Sequence, residues 1–202
     1  FRSVAASVLI AGSFQNRCVG LPTNHERLQW SRPATIVSPH RRWQIEVHPI
    51  LASSENQTPV SIVDCRTGDS RPLFSLERSG ELYWGADDRM LLVVNESTAD
   101  MYELLTFNTA AQFAGRPNEA MDKLDSLVKR ELSRRVGSSR QAEFYLPSVV
   151  SWVGTSAVLA VGGETSSGHD GPMTAYCFGV IVDTPRPRII RTVSARELKL
   201  NF

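Results

Sequence analysis

A turn that leads straight into an apolar run occurs three times in this 202-residue chain, and this repeat most constrains the fold. The three segments are SPHRRWQIEVHPI (38–50), WGADDRMLLVVNES (84–97) and WVGTSAVLAVGGET (152–165). Each opens with a turn containing Pro, Gly, Asp or Ser and continues into β-branched and apolar residues. This pattern is typical of a tight turn followed by a strand that is buried on at least one face.

A second apolar run follows each segment and ends in Asp or Asn. These runs are VSIVD (60–64), ELLTFN (103–108) and FGVIVD (178–183). The loops before them differ in length, as expected of hairpin tips, which tolerate insertion. Another turn comes next, and the first and third copies then continue into LFSL (73–76) and IIRTV (189–193). The order predicts a mainly β chain of repeated antiparallel meanders.

The turn resembles that of the blades of TolB-like and WD40-type β-propellers, whose strands often follow a Trp-Ser-Pro-Asp-Gly-like turn. The corresponding residues here are SPHRR (38–42) and WGADDR (84–89), with a degenerate third copy at 152–156. The resemblance covers about residues 30–108 and 148–193 and implies a propeller-like fold. Propellers usually close with about four to eight blades. Three copies therefore leave two alternatives, a partial propeller that is a fragment of a larger one, or a sandwich-like or open, barrel-like assembly.

One amphipathic helix is predicted at about residues 118–136, as an insertion between the second and third repeats. Asn118 is a suitable N-cap and Gly137 a suitable C-terminal residue. Only one face is apolar, so we expect the helix to pack against a sheet while a face of mixed charge is solvated. The apolar positions are Met121, Leu124, Leu127, Val128 and Leu132.

The first 20 residues are interpreted as a signal-peptide remnant or as a first strand, and residues 21–202 as a single β-repeat domain. The apolar block at 4–12 is shorter than the ~20 residues of a membrane-spanning helix, but it suits the apolar core of a signal peptide. No transmembrane segment is predicted. We expect a periplasmic or secreted protein, or a cytoplasmic one if the block is a strand.

The three cysteines, Cys18, Cys65 and Cys177, form no CxxC pair, which excludes a zinc knuckle and a thioredoxin-like motif. In an oxidising compartment Cys65 and Cys177 are the candidate disulfide, because both lie beside predicted strands. The alternative is that all three are small buried hydrophobic residues.

Charge and motifs argue against several functions. The chain has 22 basic and 21 acidic side chains, so it offers no overall field for nucleic acid or an anionic membrane, and no nucleic-acid partner is expected. The GxSxG, GxxxxGK[ST], HExxH and GxGxxG motifs do not occur, which disfavours common hydrolases and nucleotide enzymes. No cofactor is predicted.

The candidate site is the loop GGETSSGHDGPM (162–173). Glu164, His169 and Asp170 could together ligate a metal, or His169 could act as a general base oriented by a carboxylate. A soluble hairpin tip is the favoured interpretation, because adjacent residues of an extended chain point to opposite sides. Asp87 and Asp88 are interpreted as turn-shaping carboxylates.

The four tryptophans are interpreted as core anchors of the meanders rather than as a stacking platform. They are Trp30, Trp43, Trp84 and Trp152.

Three functions remain as hypotheses. The first is a non-enzymatic, exported β-repeat module that binds another protein, as a docking or scaffold role in the cell envelope; the TolB resemblance implies such a role. The second is a hydrolase or metal-dependent enzyme with its site in the 162–173 loop. The third is a glycan-binding module, which requires at least two tryptophans exposed on one face.

Overall fold

The structure of the protein is a computed structural model and describes residues 24–49, 57–96, 102–113, 121–137, 141–142, 145–166, 172–186 and 188–198. These residues form three antiparallel sheets and two helices. The prediction of a mainly β fold made of repeated meanders is confirmed.

The first sheet is a meander with strand order β2-β3-β4-β5. Its strands are β2 (Ala34–Val37), β3 (Trp43–Val47), β4 (Thr58–Asp64) and β5 (Ser70–Leu76). The Asp that ends β4 has a structural role, because Asp64 Oδ1 accepts the backbone N–H groups of Arg66 (2.7 Å) and Thr67 (3.2 Å). Such an Asx turn reverses the chain between β4 and β5.

The second sheet has the order β1-β6-β7-β8. Its strands are β1 (His25–Gln29), β6 (Ser79–Trp84), β7 (Met90–Glu96) and β8 (Tyr102–Asn108). Its fourth strand precedes the meander in sequence: β1 pairs antiparallel with β6, with His25 opposite Tyr83 and Gln29 opposite Ser79.

The third sheet has the order β10-β11-β12-β13, and the short β9 (Gln141–Ala142) pairs with the far end of β11. The other strands are β10 (Leu146–Val153), β11 (Ser156–Ser166), β12 (Thr174–Asp183) and β13 (Arg188–Ser194). The loop predicted to begin at Gly162 begins later, because β11 continues to Ser166 and Gly162 pairs with Cys177. Gly and Glu are poor strand formers, and pairing with β12 overrides that preference here.

The predicted amphipathic helix is present as α2 (Met121–Val136). Its residues Leu124, Val128 and Leu132 are buried, as the apolar spacing predicts. The helix packs against β8, and the Asp125 carboxylate accepts the backbone N–H of Leu104 at 3.2 Å. A helix side chain thus satisfies a donor at the edge of the second sheet.

A short helix, α1 (Thr109–Phe113), follows β8 and was not predicted. Asn108 ends β8 and caps this helix, since its Oδ1 accepts the backbone N–H of Ala111 at 3.0 Å.

The second sheet lies between the other two. In β7, Leu91 and Val93 belong to the core shared with the first sheet, whereas Leu92 and Val94 belong to the core shared with α2 and the third sheet. Because β7 is buried on both faces, its residues 90–94 are all apolar and do not alternate with polar ones. The described residues do not form a closed barrel, and the stack fits either a partial propeller or a sandwich. Within these residues, no helix is long and apolar enough to span a membrane.

Candidate functional site

The structure describes residues 162–166 and 172–173 of the candidate loop. Glu164 is exposed in β11, opposite Ala175. His169 and Asp170 lie outside the described residues, so a catalytic or metal-binding role for them stays a prediction. Among the residues that are described, no three His, Cys, Asp or Glu side chains lie close enough together to hold a metal ion.

The first two repeated turns have the same backbone structure. Each places a residue other than Gly at positive φ, Arg41 at 58° and Asp88 at 56°, where the resembled propeller turn has Gly. In each turn, the residue that follows the first strand donates its N–H to the residue that begins the next, Ser38 to Trp43 (2.9 Å) and Gly85 to Met90 (2.8 Å). The third turn is shorter, because only Gly154 and Thr155 separate β10 from β11.

Asp88 connects these two turns, and with them the first and second sheets. Its Oδ2 accepts the Ser38 hydroxyl (2.6 Å) and the backbone N–H of His40 (3.0 Å), and its Oδ1 lies 3.4 Å from His40 Nδ1. Asp87 shapes its own turn as predicted, by accepting the Arg89 N–H at 3.1 Å. The same prediction for Asp88 was incomplete, because its carboxylate accepts a hydrogen bond from Ser38 in the first turn, fifty positions earlier in the chain.

This cluster contains Ser, His and Asp but lacks the arrangement of a catalytic triad. The Ser38 hydroxyl donates to the Asp88 carboxylate and not to the His40 ring, so no imidazole is placed to take its proton. Ser38 Oγ also accepts the backbone N–H of Trp43 at 3.0 Å. The cluster is a hydrogen-bond network that joins two sheets and is buried at Ser38 and Asp88 but exposed at His40.

The tryptophans confirm the core-anchor prediction for three of four positions. Trp43 and Trp84 are buried in the core between the first and second sheets, and Trp152 packs against the other core. Trp30 is 42% exposed. A single exposed indole provides no coplanar pair, so the tryptophans do not support the glycan-binding hypothesis.

The predicted disulfide between Cys65 and Cys177 is wrong. Cys177 is a free thiol on β12, and burial raises its pKa. Cys65 is buried and disulfide-bonded. The remaining cysteine, Cys18, lies outside the described residues. Sequence position beside a strand could not reveal that Cys65 and Cys177 belong to different sheets.

The exposed apolar side chains are concentrated on the third sheet. Six large apolar residues are exposed among those described; four lie on strands of the third sheet, Met173 lies immediately before β12, and Trp30 lies elsewhere. The other five are Leu146, Val150, Val153, Met173 and Ile190. Three of these are on β10, and Val153 is 67% exposed. Exposed apolar residues that cluster on one element mark an interaction surface more often than single ones do.

β10 is also an unpaired edge within the described residues. β10 pairs with β11 on one side only. Of the backbone groups of β10 that do not pair with β11, the Val149 N–H donates a hydrogen bond to the Tyr83 hydroxyl. In the second sheet, β6 corresponds to β10, because it lies just before the repeated turn that leads into β7. The outer edge of β6 is covered by β1. Of the three strands that precede a repeated turn, β6 is covered by β1, whereas β2 and β10 each pair on one side only within the described residues.

The open edge was not predicted from the sequence. The run LPSVVSWV reads as an ordinary repeat strand, and only the pairing shows that its outer side lacks a neighbour. The available signal was its content of apolar residues, which is higher than in a strand that alternates between a buried and a solvated face.

Comparison of the chain with protein-family models, with curated proteins and with solved structures finds no match.

Proposed function

We propose that this chain is a non-enzymatic module that binds another protein by pairing an extended segment of that partner with the edge of β10. The observation that carries the proposal is the apolar, unpaired edge of β10, with Leu146, Val150 and Val153 exposed. An exposed strand edge supplies a row of backbone donors and acceptors, and apolar side chains beside it add contact area.

The pairing of β1 with β6 is the internal precedent. There a five-residue strand, His25–Gln29, pairs antiparallel along β6 at the position that is open in β10. A partner strand on β10 would complete the third sheet in the same way.

The irregularity of β10 gives this edge its selectivity. The register of β10 against β11 shifts between Val149 and Ser151, and Pro147 lacks a backbone N–H. A partner must accommodate the bulge at Val150 and cannot bond at Pro147. Such features oppose unselective association of strand edges.

Export is part of the proposal. The disulfide at Cys65 supports a periplasmic or secreted location, because structural disulfides persist mainly in oxidising compartments. A docking or scaffold role in the cell envelope follows for the module.

The test is capture of a partner by variants that differ in one strand edge. Val150→Lys/Val153→Lys places two charges on β10, and Ile190→Lys places one on β13, the opposite edge of the same sheet. A photo-crosslinking amino acid at position 153 or, as a control, at Trp30 locates the contact. We expect one stoichiometric partner to crosslink at position 153, and its capture to fall at least tenfold, about 1.4 kcal/mol, in the β10 variant alone.

Two results would contradict the proposal. One is a partner that the β10 variant retains in full. The other is equal loss of the partner in the β10 and Ile190→Lys variants, since this would indicate a general effect of added charge.

A further inference from the structure

A pocket of about 460 Å³ lies between the first and second sheets, beside α2. Its apolar part comes from Leu73 and Phe74 of β5 and from Leu105 of β8. Its polar part includes Asn95, Glu103 and Asp125. The lining of the pocket thus combines apolar side chains with a set of oxygen acceptors.

Two of these acceptors have no partner within the part of the chain that the structure describes. Asn95 is 6% exposed, and its Oδ1 has no hydrogen-bond partner. Glu103 is directly opposite Asn95 in the pairing of β7 with β8, and no cation among the described residues pairs with its carboxylate. Buried amide oxygens are rarely left without a donor, so this one calls for an explanation.

The third acceptor is already occupied on one side. Asp125 accepts the Leu104 N–H, and its Oδ2 lies 2.7 Å from Lys129 Nζ. Burial, with the neighbouring Asp125 carboxylate, raises the pKa of Tyr145, which stays a neutral phenol. Lys129 Nζ in turn lies 5.2 Å from the centre of the Tyr145 ring. Lys129 is thus held at Asp125, and none of the described cations lies within ion-pair distance of the exposed Glu103 carboxylate.

We propose that this pocket binds a guanidinium or ammonium group that carries an apolar body. Such a group supplies several donors and a positive charge to Glu103 and Asn95, while its apolar part contacts Leu73, Phe74 and Leu105. An arginine or lysine side chain of a peptide and a free organic cation share this chemistry. The site is separate from the β10 edge and does not depend on it.

The test is an NMR titration with benzylguanidine, and with benzylurea as its neutral counterpart. We expect saturable shifts of the Asn95 side-chain amide with benzylguanidine, and binding of benzylurea at least fivefold weaker. Glu103→Gln removes the charge at an exposed position and should weaken benzylguanidine roughly fivefold, as partly exposed ion pairs do. Glu26→Gln, which removes an equally exposed carboxylate from β1, is the matched control and should change nothing.

A second variant tests the pocket without altering charge. Ser126 lines the pocket from the exposed side of α2, so Ser126→Phe should occlude it, whereas Ser133→Phe on the same helix should not. If an Arg-containing peptide binds tenfold tighter than benzylguanidine, the ligand is assigned as a peptide side chain. If the peptide binds equally or more weakly, the ligand is assigned as a free cation. Equal binding of benzylurea, or equal effects of Glu103→Gln and Glu26→Gln, would overturn the proposal.

Discussion

At the scale of single residues, Asp88 combines a backbone φ of 56° with a side chain that is only 1% exposed. Asp tolerates positive φ better than most residues, and a buried carboxylate is tolerated when donors surround it. The Ser38 hydroxyl and the His40 N–H are those donors. The residue therefore stabilises two turns at once, its own by its conformation and the preceding one by its carboxylate.

Asp88→Ala should lower the free energy of unfolding by about 2–4 kcal/mol, because it leaves the buried Ser38 hydroxyl and the part-buried His40 N–H without an acceptor. Asp88→Asn should cost less, since its amide oxygen can still accept one of these bonds. Denaturant unfolding measures both. The control is Asp87→Ala, whose exposed side chain bonds only within its own turn. If Asp88→Ala cost no more than Asp87→Ala, the link between the turns would have no energetic importance.

Cys177 and Cys65 should differ in their reactivity towards thiol reagents. Under non-reducing conditions a maleimide should modify Cys177 but not Cys65, because the first is a free thiol and the second is in a disulfide. Burial raises the pKa of Cys177, so its modification should accelerate as the pH rises above neutrality. Peptide mapping by mass spectrometry identifies the labelled site. Labelling of Cys65 without reductant, or protection of both cysteines, would contradict the assignment.

At the scale of elements, α2 has one face in the core and a second face with an ion-pair network. Glu131 accepts bonds from Arg134 at 2.7 Å and from Arg135 at 2.9 Å, three and four positions further along the helix. Hydrogen bonds from Arg134 are the main cause that lowers the pKa of Glu131 to about 2. The order Glu before Arg along a helix is the favourable one.

This pKa sets the sign of a pH effect. Since the folded pKa lies below the unfolded one, the stabilisation by Glu131 is present above about pH 4.5 and is lost as the pH falls towards 2. Glu131→Gln should therefore lower the melting temperature at pH 7 by roughly 2–4 °C. The difference from the wild-type chain should vanish near pH 2. A Glu131→Gln deficit that persists at pH 2 would exclude the ion pairs as its cause.

The strands and the helix of this chain could be predicted where the spacing of apolar residues determines them. The strands that begin at Trp43 and Met90, and the buried face of α2, follow from apolar spacing and turn residues. The function of Asp88 was not predictable, because its partners are set by how two sheets pack. The open edge of β10 and the pocket beside Asn95 have the same origin, since both depend on which elements become neighbours.

At the scale of the whole molecule, the three sheets have different environments. The second is covered on both faces, by the first sheet on one and by α2 and the third sheet on the other. The third carries most of the exposed apolar side chains, and its β10 edge is unpaired among the described residues. The surface formed by the described residues is therefore asymmetric, and most of its exposed large apolar side chains lie on the third sheet, at one end of the stack.

The most direct test of the docking account is backbone hydrogen exchange of the chain alone and with the protein captured by crosslinking at position 153. We expect the outer-edge amides of β10 other than Val149, whose N–H meets the Tyr83 hydroxyl, to exchange rapidly in the free chain and at least tenfold more slowly in the complex. Amides of β11 should change little, because β10 and β12 already pair with that strand. Unchanged exchange in β10, with new protection confined to the first sheet or to α2, would contradict it.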